Sequence, residues 1–478
     1  DIIESIPPST SENEVCEIVA RKAQGIKRLW EVVLNTVPNC RIIQHLPDLP
    51  GQYVENISDL VSSYSFPSQC DKFRKYILAH GGSVFFLDTK GLPEDANAWF
   101  EAKLPFAQSG LPEYVARFRS CFRQSQSKVK KVLALDLDNT LWGGVIGDDG
   151  INNLQLGPDT AVGEAFSAFQ YYVKSLGERG VILAVCSKNE STIAETGFSH
   201  PHSLLKRSDF QAFECNWTDK ASALIRISKN LNVSTDSIVF VDDNPVECDL
   251  VRKVCPEIEV INLDNNPSNF VLQVARGRWF ETQRLSDEDL LRKNAYHARA
   301  AAVTALEDAP SLDSFLRGLE MKSKFSEADT SALARVSQLE GKTNQFNLTT
   351  RRYTLSSIED FSRSDNYVVM VATLSDKFGD HGLVSSIIGI INEDTLLIDS
   401  WVMSCRVFSR TLEEFIMINI IEYAKKRGIN EICGVFIPTN KNNVAKDIYR
   451  RLGFTENDDN TSSRLVEEPI DDLVSYIN

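Results

Sequence analysis

The sequence predicts an α/β protein: a parallel-sheet domain in the middle of the chain, a second α/β domain after it, and a small α/β segment before it. Three observations carry this. Apolar strand runs at Val132–Leu135, Val181–Cys186, Ile238–Val241 and Ile258–Leu263 alternate with helical patterns. In those patterns Phe166, Phe169, Val173 and Leu176 fall on one helical face, and Ala221, Leu224, Ile227 and Leu231 on another. A second alternation follows: strands Tyr367–Leu374, Gly382–Ile391 and Thr395–Val402, helix Thr411–Arg427, strand Glu431–Phe436 and helix Asn443–Leu452. Continuous apolar strands separated by amphipathic helices describe a parallel sheet covered on both faces.

The first segment, 1–127, carries helical patterns at Glu14–Leu34 and Gln69–His80 and a strand candidate at Ser83–Leu87, with no metal-ligand or nucleophile spacing. The parallel-sheet domain spans 128–283, a charged helical connector 284–320, and the last domain 321–478. A chain of 478 residues suits about three domains. Its net charge, 51 − 66 = −15, argues against nonspecific nucleic-acid binding. No apolar run approaches the ~18 residues of a membrane span. Ten scattered cysteines without a CxxC read as reduced thiols of a cytoplasmic protein. The start at Asp1 and the linker-like PPSTSENE (Pro7–Glu14) suggest a domain cut from a larger polypeptide.

Chemistry concentrates at the strand ends. The first strand runs into Asp136-Leu137-Asp138-Asn139-Thr140, the second into Cys186-Ser187-Lys188-Asn189, and the last-but-one into Asp242-Asp243-Asn244. Lys220 opens a helix after Asn216-Trp217-Thr218-Asp219. In a parallel sheet these ends converge, so Asp136, Asp138 and Asp242 or Asp243 come close. Two carboxylates ~4 Å apart repel by about 4 kcal/mol at an effective dielectric near ~20. Hard oxygen ligands with room for water suit Mg²⁺, and Ser187, Lys188 and Lys220 suit a phosphate. Each element alone has a bland reading as a turn, a cap or a solvated lysine. The four in this order point to a phosphoryl site.

The order DxDxT, Ser, Lys, DD resembles the haloacid-dehalogenase (HAD) superfamily of Mg²⁺-dependent phosphoryl-transfer enzymes. That resemblance implies Asp136 as nucleophile and Asp138 as general acid/base. It also implies metal binding by Asp242 with the backbone carbonyl of Asp138, assisted by Asp243. The runs DLDNTLWGGVIGDDG (Asp136–Gly150), AVCSKN (Ala184–Asn189), NWTDK (Asn216–Lys220), FVDDNP (Phe240–Pro245), GRWFET (Gly277–Thr282), KTNQFNLTTRR (Lys342–Arg352), DKFGDHGLVS (Asp376–Ser385) and SCRVFSR (Ser404–Arg410) look like FkbH-like proteins. The first segment loosely resembles a short SGNH-hydrolase-like segment. The region after about 321 is similar to a GNAT-type acyltransferase.

The resemblance implies a glyceryl transferase/phosphatase of polyketide biosynthesis. It would take the glyceryl unit of 1,3-bisphosphoglycerate, remove phosphate, and load an acyl carrier protein through its phosphopantetheine thiol. A thiol makes an energy-rich ester, so Cys186 is the expected acyl nucleophile and Cys405 its rival. His381 is a candidate base for the carrier thiol. Asn344, Gln345 and Asn347 are candidates for the glyceryl hydroxyls. Arg351, Arg352, Arg406 and Arg410, or Lys425–Arg427, are candidates for a patch facing an acidic carrier. In GNAT enzymes RxxGxG/A cradles the CoA pyrophosphate; here Ser409 and Thr411 replace both glycines, which leaves guidance of a phosphopantetheine arm. The competing reading is a plain Mg²⁺ phosphohydrolase indifferent to Cys186. A non-catalytic interaction module is disfavoured by the full set of reactive residue types.

Overall fold

The computed structural model describes residues 1–478 apart from 1–5, 8, 38–39, 47–61, 83, 94, 105, 127, 284–304, 306–308, 405–406, 458–460, 471 and 478. Most of the expected connector, with Cys405 and Arg406, lies outside the described residues. The chain forms two compact units, Asp1–Lys130 with Val271–Leu285, and Lys131–Phe270 with Ser286–Asn478.

In the first unit, β1 (Ile43–His45) pairs in parallel with β2 (Phe85–Leu87). Helix Glu12–Thr36 starts at a capping box in which Ser11 and Glu14 satisfy each other's backbone amides. It buries Val15, Val19, Ala23 and Trp30 with Phe73 and Ile77 of helix Phe66–His80. Residues 271–283 return to this unit. Trp279 lies 4.2 Å from the Arg123 guanidinium, and Arg278 pairs with Glu113 at 2.8 Å.

The second unit holds two sheets. The first joins β3 (Val132–Leu135), β4 (Ile182–Ser187), β5 (Ala212–Cys215), β6 (Ile238–Asp242) and β7 (Glu259–Asn262) in the order β5-β4-β3-β6-β7, all parallel. Strand β5 was not expected. It is a half-exposed edge strand with Glu214 inside it, so it has no apolar run to detect. Helix Lys220–Leu231 is capped by Asp219 and ends at Asn232 in the left-handed region. It buries Ala221, Leu224, Ile227 and Leu231, as its period predicts. Burying a Leu or Ile stabilises by about 1.5–3 kcal/mol.

The second sheet contains β8 (Phe325–Glu327), β9 (Tyr367–Asp376), β10 (Gly379–Asn392), β11 (Thr395–Met403), β12 (Glu431–Val435), β13 (Thr455–Glu456) and β14 (Thr461–Leu465). Their order is β13-β14-β12-β11-β10-β9-β8. Every pair is antiparallel except β11 with β12. Trp401 and Met403 share one core with Ile416, Met417 and Ile420 of helix Leu412–Arg427. A second core joins Val369, Val371 and Ile388 to Val336 of helix Leu333–Lys342 and Ile358 of helix Leu355–Arg363. The protein is α/β, with a parallel sheet followed by a mixed one. Among the described residues no helix is long and apolar enough to cross a membrane.

Candidate active site

Strand alternation builds the site. The registers Ala134↔Ala184 and Ala134↔Phe240 put even-numbered residues of β3, β4 and β6 on one face. One step further along, Asp136, Cys186 and Asp242 therefore stand side by side. They lie at the carboxyl edge, where the strand order reverses between β3 and β6 and where open α/β sheets bind ligands. The carboxylate oxygens of Asp136, Asp242 and Asp243 lie within 4.8 Å of one another.

Lys220, the first residue of its helix, reaches into this cluster. Its Nζ is 2.9 Å from Asp136 Oδ2 and 2.5 Å from Asp242 Oδ2. Burial alone would lower the Lys220 pKa, but the charges of Asp136 and Asp242 outweigh it and hold the ammonium protonated. Burial and the Asp136 charge push Asp242 up to about 7, against the pull of Lys220. Burial, then Asp136, also raises Asp243, whose Oδ1 accepts from Thr140 Oγ1 at 3.3 Å. One ammonium among three carboxylates leaves 1 − 3 = −2 when all are ionised, and Asp136 Oδ1 is buried with no partner. An oxygen-only cluster with a buried, unpartnered oxygen fits a divalent cation of the Mg²⁺ type.

The Asp138 side chain, expected as general acid/base with only the backbone carbonyl serving the metal, stands apart from the other three carboxylates. Its Oδ1 accepts from Trp142 Nε1 (2.9 Å) and the Ile146 amide (3.1 Å), and its Oδ2 from Asn189 Nδ2 (2.8 Å). Its side chain is thus held outside the three-carboxylate cluster, two residues along a turn in which Asn139 is left-handed (φ 54°). Burial raises its pKa. Ser187 ends β4, buried, one residue beyond Cys186. Lys188 is diverted from a phosphate role: its ammonium sits 2.5 Å from Glu247 Oε1, in the first turn of helix Pro245–Val254. Thr140, Asn189 and Glu247 were not singled out. Thr140 and Asn189 lie inside the quoted motifs, but only the folded turn gives them partners.

Cys186, the expected acyl nucleophile, lies in the interior. It has the right register beside Asp136 but belongs to the apolar core with Ala184, Ala221 and Leu224, and is 0% exposed. Its Sγ lies 3.7 Å from the Lys220 carbonyl oxygen. Burial drives its pKa well above that of an ordinary thiol. The same helix that delivers Lys220 covers the sulfur.

The other candidates lie with the seven-stranded sheet. His381 is buried, and its Nε2 is 3.0 Å from Asp376 Oδ2 and 2.7 Å from Arg410 Nη1. Arg410 also pairs with Asp376 at 2.6 Å. Asn344 accepts from Arg352 at 2.6 Å, and Arg352 donates to the Glu340 and Gly341 carbonyls, closing the end of helix Leu333–Lys342. Gln345 lies in the bend after that helix. Asn347 is buried and accepts from the Thr350 amide at 2.7 Å. Arg351 pairs with Asp399 while staying partly exposed, and Arg352 and Arg410 also have acceptors within the domain.

The chain is similar to the N-terminal part of BF1531 from Bacteroides fragilis, a structure containing a phosphatase domain complexed with Mg. The identity is 30%, the TM-score 0.49, and the match covers 58% of this chain and 75% of that one. It is also similar to the ribosomal-protein-S18-alanine N-acetyltransferase of Escherichia coli (14% identity, TM-score 0.25, 31% of this chain and 96% of that one). A GNAT-family acetyltransferase of Streptococcus pneumoniae matches comparably (16% identity, TM-score 0.25, 30% of this chain and 99% of that one). No family model and no curated protein matches the chain.

Proposed function

We propose that this chain is a Mg²⁺-dependent phosphoryl-transfer enzyme that removes phosphate from a small phosphorylated substrate. The supporting observation is the gathering of Asp136, Asp242 and Asp243 around Lys220, with one Asp136 oxygen unpartnered. Asp136 attacks phosphorus while the leaving oxygen takes a proton from Asp138. Water then attacks the aspartyl phosphate, Asp138 takes its proton, and phosphate leaves with the Asp136 carboxylate restored. Asp136, Asp242 and Asp243 would hold the metal, whose charge stabilises the transferring phosphoryl oxygens. Ser187 offers a hydroxyl donor, and Lys220 offers positive charge.

The finer reading is D-glyceryl loading in cytoplasmic polyketide assembly, as a free enzyme or within a larger synthase. The motif runs between Asp136 and Arg410 support it. An acyl phosphate is already activated, so the carrier's phosphopantetheine thiolate can attack the 1,3-bisphosphoglycerate carbonyl directly. The C–S bond forms, the C–O bond to phosphate breaks, and phosphate leaves. The remaining phosphate ester is then cleaved at Asp136. This route uses no thiol of the chain itself, in keeping with the burial of Cys186.

The test is mass spectrometry of a phosphopantetheinylated carrier incubated with the chain, Mg²⁺ and 1,3-bisphosphoglycerate. A glyceryl adduct supports the finer reading. Phosphate release with an unmodified carrier leaves the plain phosphohydrolase. Asp136→Asn should lower phosphate release by at least about 10³-fold, and an unaffected rate would sink both readings.

A further inference from the structure

We infer that the C-terminal domain, despite its GNAT-like sequence, takes neither acyl-CoA nor a pantetheine arm, because the chain's own groups fill the places those ligands would occupy. Acyl-CoA offers a pyrophosphate and an extended amide chain. Each needs a seat: backbone donors for the first and unpaired strand edges for the second.

The amide seat is the gap between β11 and β12. These parallel strands pair only over Thr395–Ile398 and Glu431–Gly434. Beyond that the space between them is taken by Phe346–Leu348. The Leu348 amide donates to the Trp401 carbonyl (3.2 Å) and the Met403 amide to the Phe346 carbonyl (3.1 Å). On the other side the Ile437 amide donates to the Leu348 carbonyl at 2.8 Å. Asn442 Nδ2 closes the remaining acceptor, the Asn347 carbonyl, at 2.9 Å. Phe346 and Leu348 are both core residues, so this is a built-in piece of sheet.

The anion seat is the loop before helix Leu412–Arg427. Ser409 (φ 62°) and Thr411 (φ 55°) keep the left-handed backbone that glycine favours, yet both carry side chains. Thr411 is strapped by Ser475 and by the Tyr476 amide, each at 3.2 Å. Arg410, between them, turns inward to Asp376. The helix's first turn carries Glu413 and Glu414. The Glu413 carboxyl group is itself buried at this helix start, with its Oε2 unpartnered, in the turn whose amides a pyrophosphate would use. A resident carboxylate thus stands where a phosphate would bind.

This inference is independent of the phosphoryl site. In the full chain, millimolar acetyl-CoA or pantetheine should leave the melting temperature and the hydrogen exchange of 346–348 and 409–414 unchanged. Inorganic pyrophosphate, with Mg²⁺ absent, should not stabilise the wild type but should raise the melting temperature of Glu413→Ala. Saturable acetyl-CoA binding that exposes 346–348 to exchange would overturn the inference. So would a Glu413→Ala variant that responds to pyrophosphate no more than wild type. Phosphate release by the same proteins, assayed separately with Mg²⁺ restored, should be unchanged, so this result and the failure of the Asp136 chemistry are read separately.

Discussion

The carboxyl edge of the parallel sheet and the polar interior of the mixed sheet are both rich in buried charge, and they treat it oppositely. At the first, three carboxylates face one lysine, and an Asp136 oxygen has no partner. In the second, Asp376 is matched by Arg410 and Asp399 by Arg351, while Glu340 lies between the hydroxyls of Ser400 and Ser386. A buried charge without full compensation is costly, so a fold retains it where a ligand completes the balance. Residual charge, rather than the number of polar residues, separates the site that suits a cation and a phosphate from the one that holds strands together.

Breaking the balance at the carboxyl edge should have the largest effect on stability. Lys220→Met leaves three clustered carboxylates and should cost about 3–5 kcal/mol in urea denaturation, partly recovered by Mg²⁺. A variant as stable as wild type without Mg²⁺ would show that the cluster is not charge-limited.

The mixed sheet gives the next effect, with a defined pH window. Burial pushes Glu340 from 4.5 up to about 7. The unfolded chain releases this proton near 4.5 and the folded chain holds it, so stability falls as pH rises from about 4.5 to about 7. Glu340→Gln should remove that slope. Its stability relative to wild type should be unchanged near pH 4 and higher at pH 8 by up to on the order of 3 kcal/mol. Parallel pH curves for the two proteins would mean that Glu340 ionises freely in the fold.

The smallest effect sharpens the account of the sulfur. Cys186→Ala removes one buried atom and should cost about 1–2 kcal/mol, with phosphate release within about twofold of wild type. A loss beyond about tenfold at intact stability would return the thiol to the chemistry.

Much of the site was legible before folding, because strand ends in a parallel sheet must converge. Asp136, Asp242 and Asp243 needed only their positions after apolar runs, and Lys220 its place at a helix start. What could not be read was which side chains would be spent on one another. Lys188 looks available until Glu247 is brought to it from 59 residues away. Arg351 and Arg352 look like a surface patch until Asp399 and the carbonyls at a helix end claim them. The edge strand β5 was missed because a half-exposed strand needs no continuous apolar run. The helix pair Leu333–Lys342 and Leu355–Arg363 was missed, although it packs over a complete core of its own.

By itself the amino-acid order determined the α/β class, the strand ends that carry the acids, and the helical faces that cover the sheet. These follow from periodicity, which is local. Only the tertiary structure decided that Cys186 is buried beneath the helix that Lys220 opens, and that Phe346–Leu348 joins two diverging strands. Both outcomes depend on contacts between segments distant along the chain, and no local pattern records which of two neighbouring groups will be covered.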